Sequence, residues 1–291
     1  MDLSHCTHLI IVCCHAIYLG GPTKGASEDE WLIESFQKGE TPTYTQHVKA
    51  GLELLDGDPE GFLVFSGGAT KKDRTALTEG ESYLNLAKDN SLFSFNVPPS
   101  QIHPEIHAVD SYQNVLFSLL HFRLVTGVYP RRISVVTHEF KRRRFMEWHF
   151  PALGLRPVFS SSTSTVRVIG INPPEEIAPL EGLLAGEENS GIGLWRNDPY
   201  GVLGELAAKR RKRGWVGGME RGVFVGVGLE GVVEELVCWD GDGGRGLGGW
   251  KGCPGLSGFV RDLLVRRWGL RDNRDEVREI VYVIRESFVF V

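Results

Sequence analysis

Short apolar runs that break off into glycine or polar loops recur along the first two thirds of the chain, and they limit the fold more than any other feature. Residues 9–14 (LIIVCC), 62–65 (FLVF), 132–137 (RISVVT) and 165–171 (TVRVIGI) are four such runs, and a shorter one begins at Ile102 and reaches Ile106. Runs this short and this continuously apolar suit strands covered on both faces, as in a parallel sheet between helices. Amphipathic stretches lie between them. Val48, Leu52 and Leu55 recur at helical spacing in 45–55, Tyr83, Leu84 and Ala87 follow Thr78, and Val115, Leu116, Leu119, Leu120 and Phe122 give 114–125 a broad apolar face. Residues 141–150 also read as helix. Strand and helix alternate in this order, so the expected fold is α/β with a mostly parallel sheet.

Composition narrows the class. With 291 residues, 42% hydrophobic and 24% charged, the chain is long enough for one large or two small globular domains. A formal net charge of -5 supplies no chain-wide positive field, which argues against a nucleic-acid or membrane-surface protein. No run of about 18 apolar residues exists to span a bilayer. The first residues lack a basic region ahead of the apolar run, so no secretory signal is expected. Cys6, Cys13 and Cys14 are bunched too closely for a disulfide framework, and a reducing, cytoplasmic setting is expected.

From Trp215 onward the composition changes. This stretch holds 16 of the 36 glycines and no alanine, threonine, histidine or glutamine, so it is set apart from an α/β domain expected over 1–208. Residues 209–291 are expected to form an irregular Gly/Arg/Val-rich tail. Both a genuine glycine-rich extension and a gene-model artefact (a translated intron or shifted frame) fit that composition.

Open parallel sheets bind ligands beyond the C-terminal ends of their strands, and that rule selects the candidate residues. After the first strand come His15 and the pair Gly20 and Gly21. After FLVF comes Ser66-Gly67-Gly68-Ala69-Thr70, a turn whose amides could cradle an anion. Lys71 and Lys72 follow, but without a Gly-Lys-Ser/Thr sequence, so P-loop chemistry is disfavoured. Glu79 and Glu81 open the next helix; only one of them can face the cleft as a base or ribose ligand. Asp110 or Ser111 caps the helix after the fourth loop, with Ser111 and Asn114 as possible donors into the cleft. After RISVVT come Thr137 and His138, then the four consecutive cations Lys141, Arg142, Arg143 and Arg144, where an anion could be gripped. All nine histidines precede residue 150, yet no HExxH or paired CxxC pattern marks a metal site, and none is expected. Residues 209–213 (KRRKR) have the composition of a nuclear-localisation patch or a solvated basic run.

Taken in order, HLIIVCCHAIYLGG, FLVFSGGATK, LTEGESYL, DSYQNVLFS and ISVVTHEFKRRRF resemble the YdcF/SanA-like family, a domain of unknown function, and especially its fungal branch. The resemblance covers roughly residues 9–201 and is carried by order and spacing together. It implies a Rossmann-like three-layer α/β/α sandwich with a pocket over the strand ends. One bacterial branch binds S-adenosylmethionine, which makes that cofactor an expectation by resemblance alone. The family's Ser-Gly-Gly turn falls on Ser66, Gly67 and Gly68, and its following acidic position on Glu79. Its Thr/Ser-aromatic-Glu-Asn signature falls on Ser111, Tyr112, Gln113 and Asn114, with glutamine in place of the carboxylate. Its Val-Thr-x-x-x-His-x-x-Arg pattern falls on Val136 and Thr137, with Lys141 at the histidine and Arg144 at the arginine. Losing that histidine weakens acid–base work at this position but leaves anion binding intact.

These residues together point to a small-molecule pocket, most simply that of an enzyme acting on an anionic or nucleotide-type ligand by phosphoester hydrolysis or transfer. In that reading Gly20, Gly21, Ser66, Gly67, Gly68, Thr70, Asn114, Thr137, Lys141 and Arg144 bind, while Glu79, His15 and Ser111 do the chemistry. A noncatalytic binding module is the first alternative, favoured by the Gln113 and Lys141 departures. A biosynthetic enzyme with an uncharged substrate, walled by Ala16, Ile17 and Tyr18, is the second. The oligomeric state is not legible.

Overall fold

The apolar run at 8–13 becomes the central strand of the sheet. In the computed structural model, which describes residues 2–153, 155, 166–229, 233, 234, 237 and 238, β1 (His8–Cys13) is buried along its whole length. β4 (Gly61–Ser66) pairs with it on one side and β6 (Arg132–Thr137) on the other. β5 (Ile102–Glu105) extends the sheet beyond β4, and β7 (Val166–Gly170) extends it beyond β6. The five-stranded order is β5-β4-β1-β6-β7, and every pairing is parallel. A separate two-stranded hairpin joins β2 (Ile17–Tyr18) to β3 (Trp31–Leu32); strands of two residues carry no periodicity and were not legible in the sequence.

Alternation along the strands builds two cores. Ile10, Val12, Leu63, Phe65 and Val136 point to one face, where they meet Tyr44, Val48, Leu52 and Leu55 of α1 (Thr41–Asp56) and Tyr83, Leu86 and Ala87 of α2 (Glu79–Asp89). The intervening side chains face α3 (Ser111–Thr126), as the edge contact of Phe62 with Phe122 at 5.4 Å shows. α3 is buried around most of its circumference, its polar Gln113, Asn114 and Ser118 included. The result is an α/β fold with helices on both faces of a parallel sheet.

After β6 the chain is helical through 139–152 but uneven. α turns at α4 (Arg142–Arg144) and α5 (Phe150–Ala152) flank a five-residue π turn at Phe145–His149. Beyond β7, α6 (Leu180–Glu187) runs into a second π turn and then α7 (Gly193–Trp195), and α8 (Gly204–Lys212) and α9 (Met219–Phe224) follow. No helix among the described residues is long and apolar enough to cross a membrane.

The domain boundary expected at 208 falls short of the compact unit, which runs from Met1 to Leu229. The reason is aromatic: Trp215 and Phe224 stack on Phe117 of α3, with centroids 5.4 and 4.7 Å away. A second unit spans Glu230–Val291, and nearly all of it, hence most of the expected irregular tail, lies outside the described residues.

Candidate functional site

Strand order reverses between β1 and β6. β1 leads on to β4 and β5 on one side, β6 to β7 on the other, so the loops leaving these two neighbours diverge and open a crevice. A cavity of about 1270 Å³ fills it. Its floor comes from the strand exits, including Cys13, His15, Thr137, His138 and Lys141; its walls come from the 70–79 loop, the start of α3, and the segments 178–195 and 206–214.

Among the expected site residues, His15, Thr70, Glu79, Ser111, Asn114, Thr137, Lys141 and Arg144 all line this cavity. Gly20 and Gly21 do not. Gly20 borders a separate shallow hollow with Tyr18, Leu77 and Asp89. At Gly21 a Cβ would collide with the Glu30 carboxylate, which accepts the amides of Thr23 and Gly25 and fastens this turn. These two glycines shape the excursion between β1 and α1, away from the crevice.

The glycine turn after β4 also departs from the expected role. The Gly67 amide donates to Glu105 O at 3.0 Å and the Gly68 amide to Ala108 O at 2.6 Å, so neither is left to cradle an anion. The turn needs glycine for close approach instead. A Cβ on Gly67 would lie 2.7 Å from Glu79 Cβ, and one on Gly80 would lie 2.5 Å from the carbonyls of Phe65 and Glu105. Ser66 is wholly buried: its Oγ donates to Glu105 Oε2 at 2.6 Å, and Asn114 Nδ2 donates to both its O and its Oγ at 2.9 Å. Glu105, unmarked in the sequence, ties the turn together by also accepting the amides of His107 and Ala108. Burial pushes its carboxyl up to about 7.

At the head of α2 the two acidic residues divide. Glu81 closes a capping box with Thr78, whereas Glu79 turns into the cavity and accepts a hydrogen bond from Thr70 Oγ1 at 2.5 Å. Burial raises the Glu79 carboxyl above the ordinary carboxylate range. At the head of α3, Asp110 is the cap, accepting Gln113 N at 2.9 Å. Ser111 is thereby free to bond His149 Nε2 at 2.8 Å and to accept from Arg144 Nη1 at 3.2 Å.

The four consecutive cations after β6 are not equivalent. Arg142 holds Glu139 through two bonds of 2.6 Å, Arg143 holds Glu147, and Arg144 holds Glu187 through two more. Lys141 has no carboxylate partner among the described residues. Its Nζ stands 3.5 Å from Nδ1 of His15, whose Nε2 is 3.5 Å from Thr137 Oγ1. Burial, with Arg144 nearby, brings the Lys141 ammonium down to about 8. His15, His47 and His138 cluster beside it, with ring centroids 4.4 to 5.5 Å apart. Burial lowers all three, so the cluster is neutral at neutral pH. Among the described residues no group of three histidine, cysteine or acidic side chains is arranged to hold a metal.

Sequence reasoning missed the outer wall. The basic run 209–213 borders the cavity, and Arg210 reaches across 100 residues to Asp110 Oδ2 at 2.5 Å. Glu187, the partner of Arg144, was likewise unmarked. Among the described residues, ten lysines and arginines line the cavity against six aspartates and glutamates. Ala16, Ile17 and Tyr18, considered as walls for an uncharged substrate, are buried in the core and border no part of it.

The chain is similar to the uncharacterized protein YOR238W of Saccharomyces cerevisiae, 24% identical over 257 residues that cover 70% of this chain and 82% of the yeast protein. No protein-family model and no solved structure matches it.

Proposed function

We propose that the crevice between β1 and β6 binds an anionic small molecule, of phosphoester or nucleotide type, and that the protein acts on it as a hydrolase or transferase. One observation carries the reading: of four consecutive cations at the exit of β6, Lys141 alone lacks a carboxylate partner among the described residues, and it lies at the cavity floor. An ammonium held there without a counterion attracts an anion, and the excess of basic side chains around it extends that field. His15, neutral and 3.5 Å from Lys141, offers a lone pair to a proton in transit, and Glu79, with its raised affinity for protons, supplies one. Phosphoryl chemistry asks mainly for positioning and charge stabilisation, which these groups provide.

The resemblance to the YdcF/SanA-like family agrees with this location for the site. Its S-adenosylmethionine branch fits less well, since a sulfonium gains little from a cationic wall. A noncatalytic binding module is the second reading, favoured by Gln113: its Oε1 accepts the Val109 amide at 2.9 Å and so serves the loop before α3. The free, buried thiols of Cys6, Cys13 and Cys14 support a reducing, cytoplasmic setting.

Thermal denaturation tests the reading. Pyrophosphate and adenosine diphosphate should raise the melting temperature, because a ligand that binds only the folded state stabilises it, and adenosine should not. Equal shifts with adenosine, or none with either anion, would remove the anion site.

A further inference from the structure

Lys141 has as its nearest polar neighbour an imidazole rather than a carboxylate. Cys13 faces it from the end of β1 and His15 from the loop beyond, Glu40 from the residue before α1 and His47 from α1, His138 from the exit of β6, Arg144 from the next helical turn and Glu187 from α6. Desolvation and the Arg144 guanidinium favour loss of its proton, while Glu187, Cys13 and Glu40 oppose that loss. With the balance at about 8, the side chain gives up its proton far more readily near neutral pH than an ordinary lysine does. A desolvated amine beside a second cation is the environment in which lysine acts as a nucleophile toward carbonyl groups.

We infer that Lys141 forms an imine with the carbonyl carbon of an anionic aldehyde or ketone held in this cavity. The inference rests on the anion-pocket reading and narrows its ligands to phosphorylated or carboxylated carbonyl compounds. The Nζ lone pair attacks the carbonyl carbon, and the π pair moves to oxygen. A proton passes from nitrogen to that oxygen through His15, giving a carbinolamine. The hydroxyl then takes up a proton and leaves as water while the nitrogen lone pair closes the C=N bond, and the remaining N–H returns that proton through His15. One C=O is exchanged for one C=N with release of water, and no electrons are gained or lost. The anionic end points away from the floor, toward the basic wall where Arg210 and Arg213 stand.

Pyridoxal 5′-phosphate, an aldehyde with a phosphate, is the probe. The full-length protein is incubated with it, reduced with borohydride, digested with trypsin and mapped by mass spectrometry. Peptide 133–142, bounded by Arg132 and Arg142, should carry the adduct on Lys141 at about ten times the level at any other lysine, a preference worth about 1.4 kcal/mol. Pyrophosphate should protect it, and pyridoxal without phosphate should label it weakly. Lys141→Arg, whose guanidinium forms no stable imine, should lose the adduct while the background label on the other lysines stays as in the wild type. An adduct absent from Lys141, or spread over the lysines by exposure alone, overturns the imine. If pyrophosphate stabilisation persists in that case, the anion pocket stands; if it is absent as well, both fall.

Discussion

Arg144 and Glu187 face each other across the mouth of the crevice through two parallel hydrogen bonds, Nε to Oε1 at 2.7 Å and Nη2 to Oε2, with both side chains largely out of water. The pair joins the helix after β6 to α6 and keeps the guanidinium neutralised.

Removing one partner of a buried pair leaves the other charge uncompensated. Arg144→Ala should therefore lower stability by about 3–5 kcal/mol, and Arg144→Ala with Glu187→Gln by clearly less. Urea denaturation of both variants measures the difference. Glu187→Gln alone leaves the guanidinium facing the cavity without a carboxylate. Pyrophosphate affinity, read by calorimetry, should then rise by about tenfold, the effect of about 1.4 kcal/mol.

Glu105 links stability to pH. Its folded-state pKa of about 7 lies above the ordinary 4.5, so its contribution is fully present below about 4.5 and is lost as pH rises through about 7. Glu105→Gln, which keeps an acceptor for the His107 and Ala108 amides, should match the wild type near pH 5. By pH 8.5 it should exceed the wild type by on the order of 3 kcal/mol. Unfolding curves at the two pH values give the comparison, and a gap independent of pH would contradict it.

Two glycines in helices predict opposite outcomes. At Gly80 a Cβ would meet two backbone carbonyls at 2.5 Å, neither of which can swing aside. Gly80→Ala should cost more than about 2 kcal/mol by overpacking and separate α2 from the sheet. At Gly182 in α6 a Cβ meets nothing within 4 Å, and Gly182→Ala should stabilise by about 0.5–1 kcal/mol. Melting temperatures of the two variants should move in opposite directions.

At the opposite end of the sheet, Asp58, His8 and Ser134 stand in the order of a hydrolase relay. His8 Nδ1 is 2.7 Å from Asp58 Oδ2 and His8 Nε2 is 2.8 Å from Ser134 Oγ. Ser134 is only 1% exposed, and its oxygen also accepts from Arg167 Nε at 2.8 Å. A fluorophosphonate reagent should leave it unlabelled. Ser134→Ala should cost about 1–3 kcal/mol, because two donors or acceptors around it lose their partner.

How far the sequence could be read follows from the range of the signals. The runs at 9–14, 62–65, 132–137 and 165–171, with the shorter one from Ile102, announced the five sheet strands, and the strand-end rule led directly to His15, Thr70, Thr137 and Lys141, because each effect acts within a few residues. The amides of Gly67 and Gly68 were misread: a glycine pair reveals that the backbone can come close to something, and here that something is Glu79, Cys14 and the 107–108 backbone. Arg144 looked like an open grip because Glu187 lies 43 positions away, and the basic run 209–213 looked like a solvated patch because Asp110 lies a further hundred positions back. Contacts of that span leave no trace in local pattern.

With the Gly67 and Gly68 amides engaged by β5 and the loop after it, the charged lining of the crevice consists of long side chains instead of fixed backbone dipoles. Those of its lysines and arginines that stand in water, among them Lys72, Arg211 and Lys212, keep rotatable stems, and exchanging one of them leaves every strand undisturbed. A lining made this way can be redrawn one exposed position at a time while the scaffold beneath stays the same.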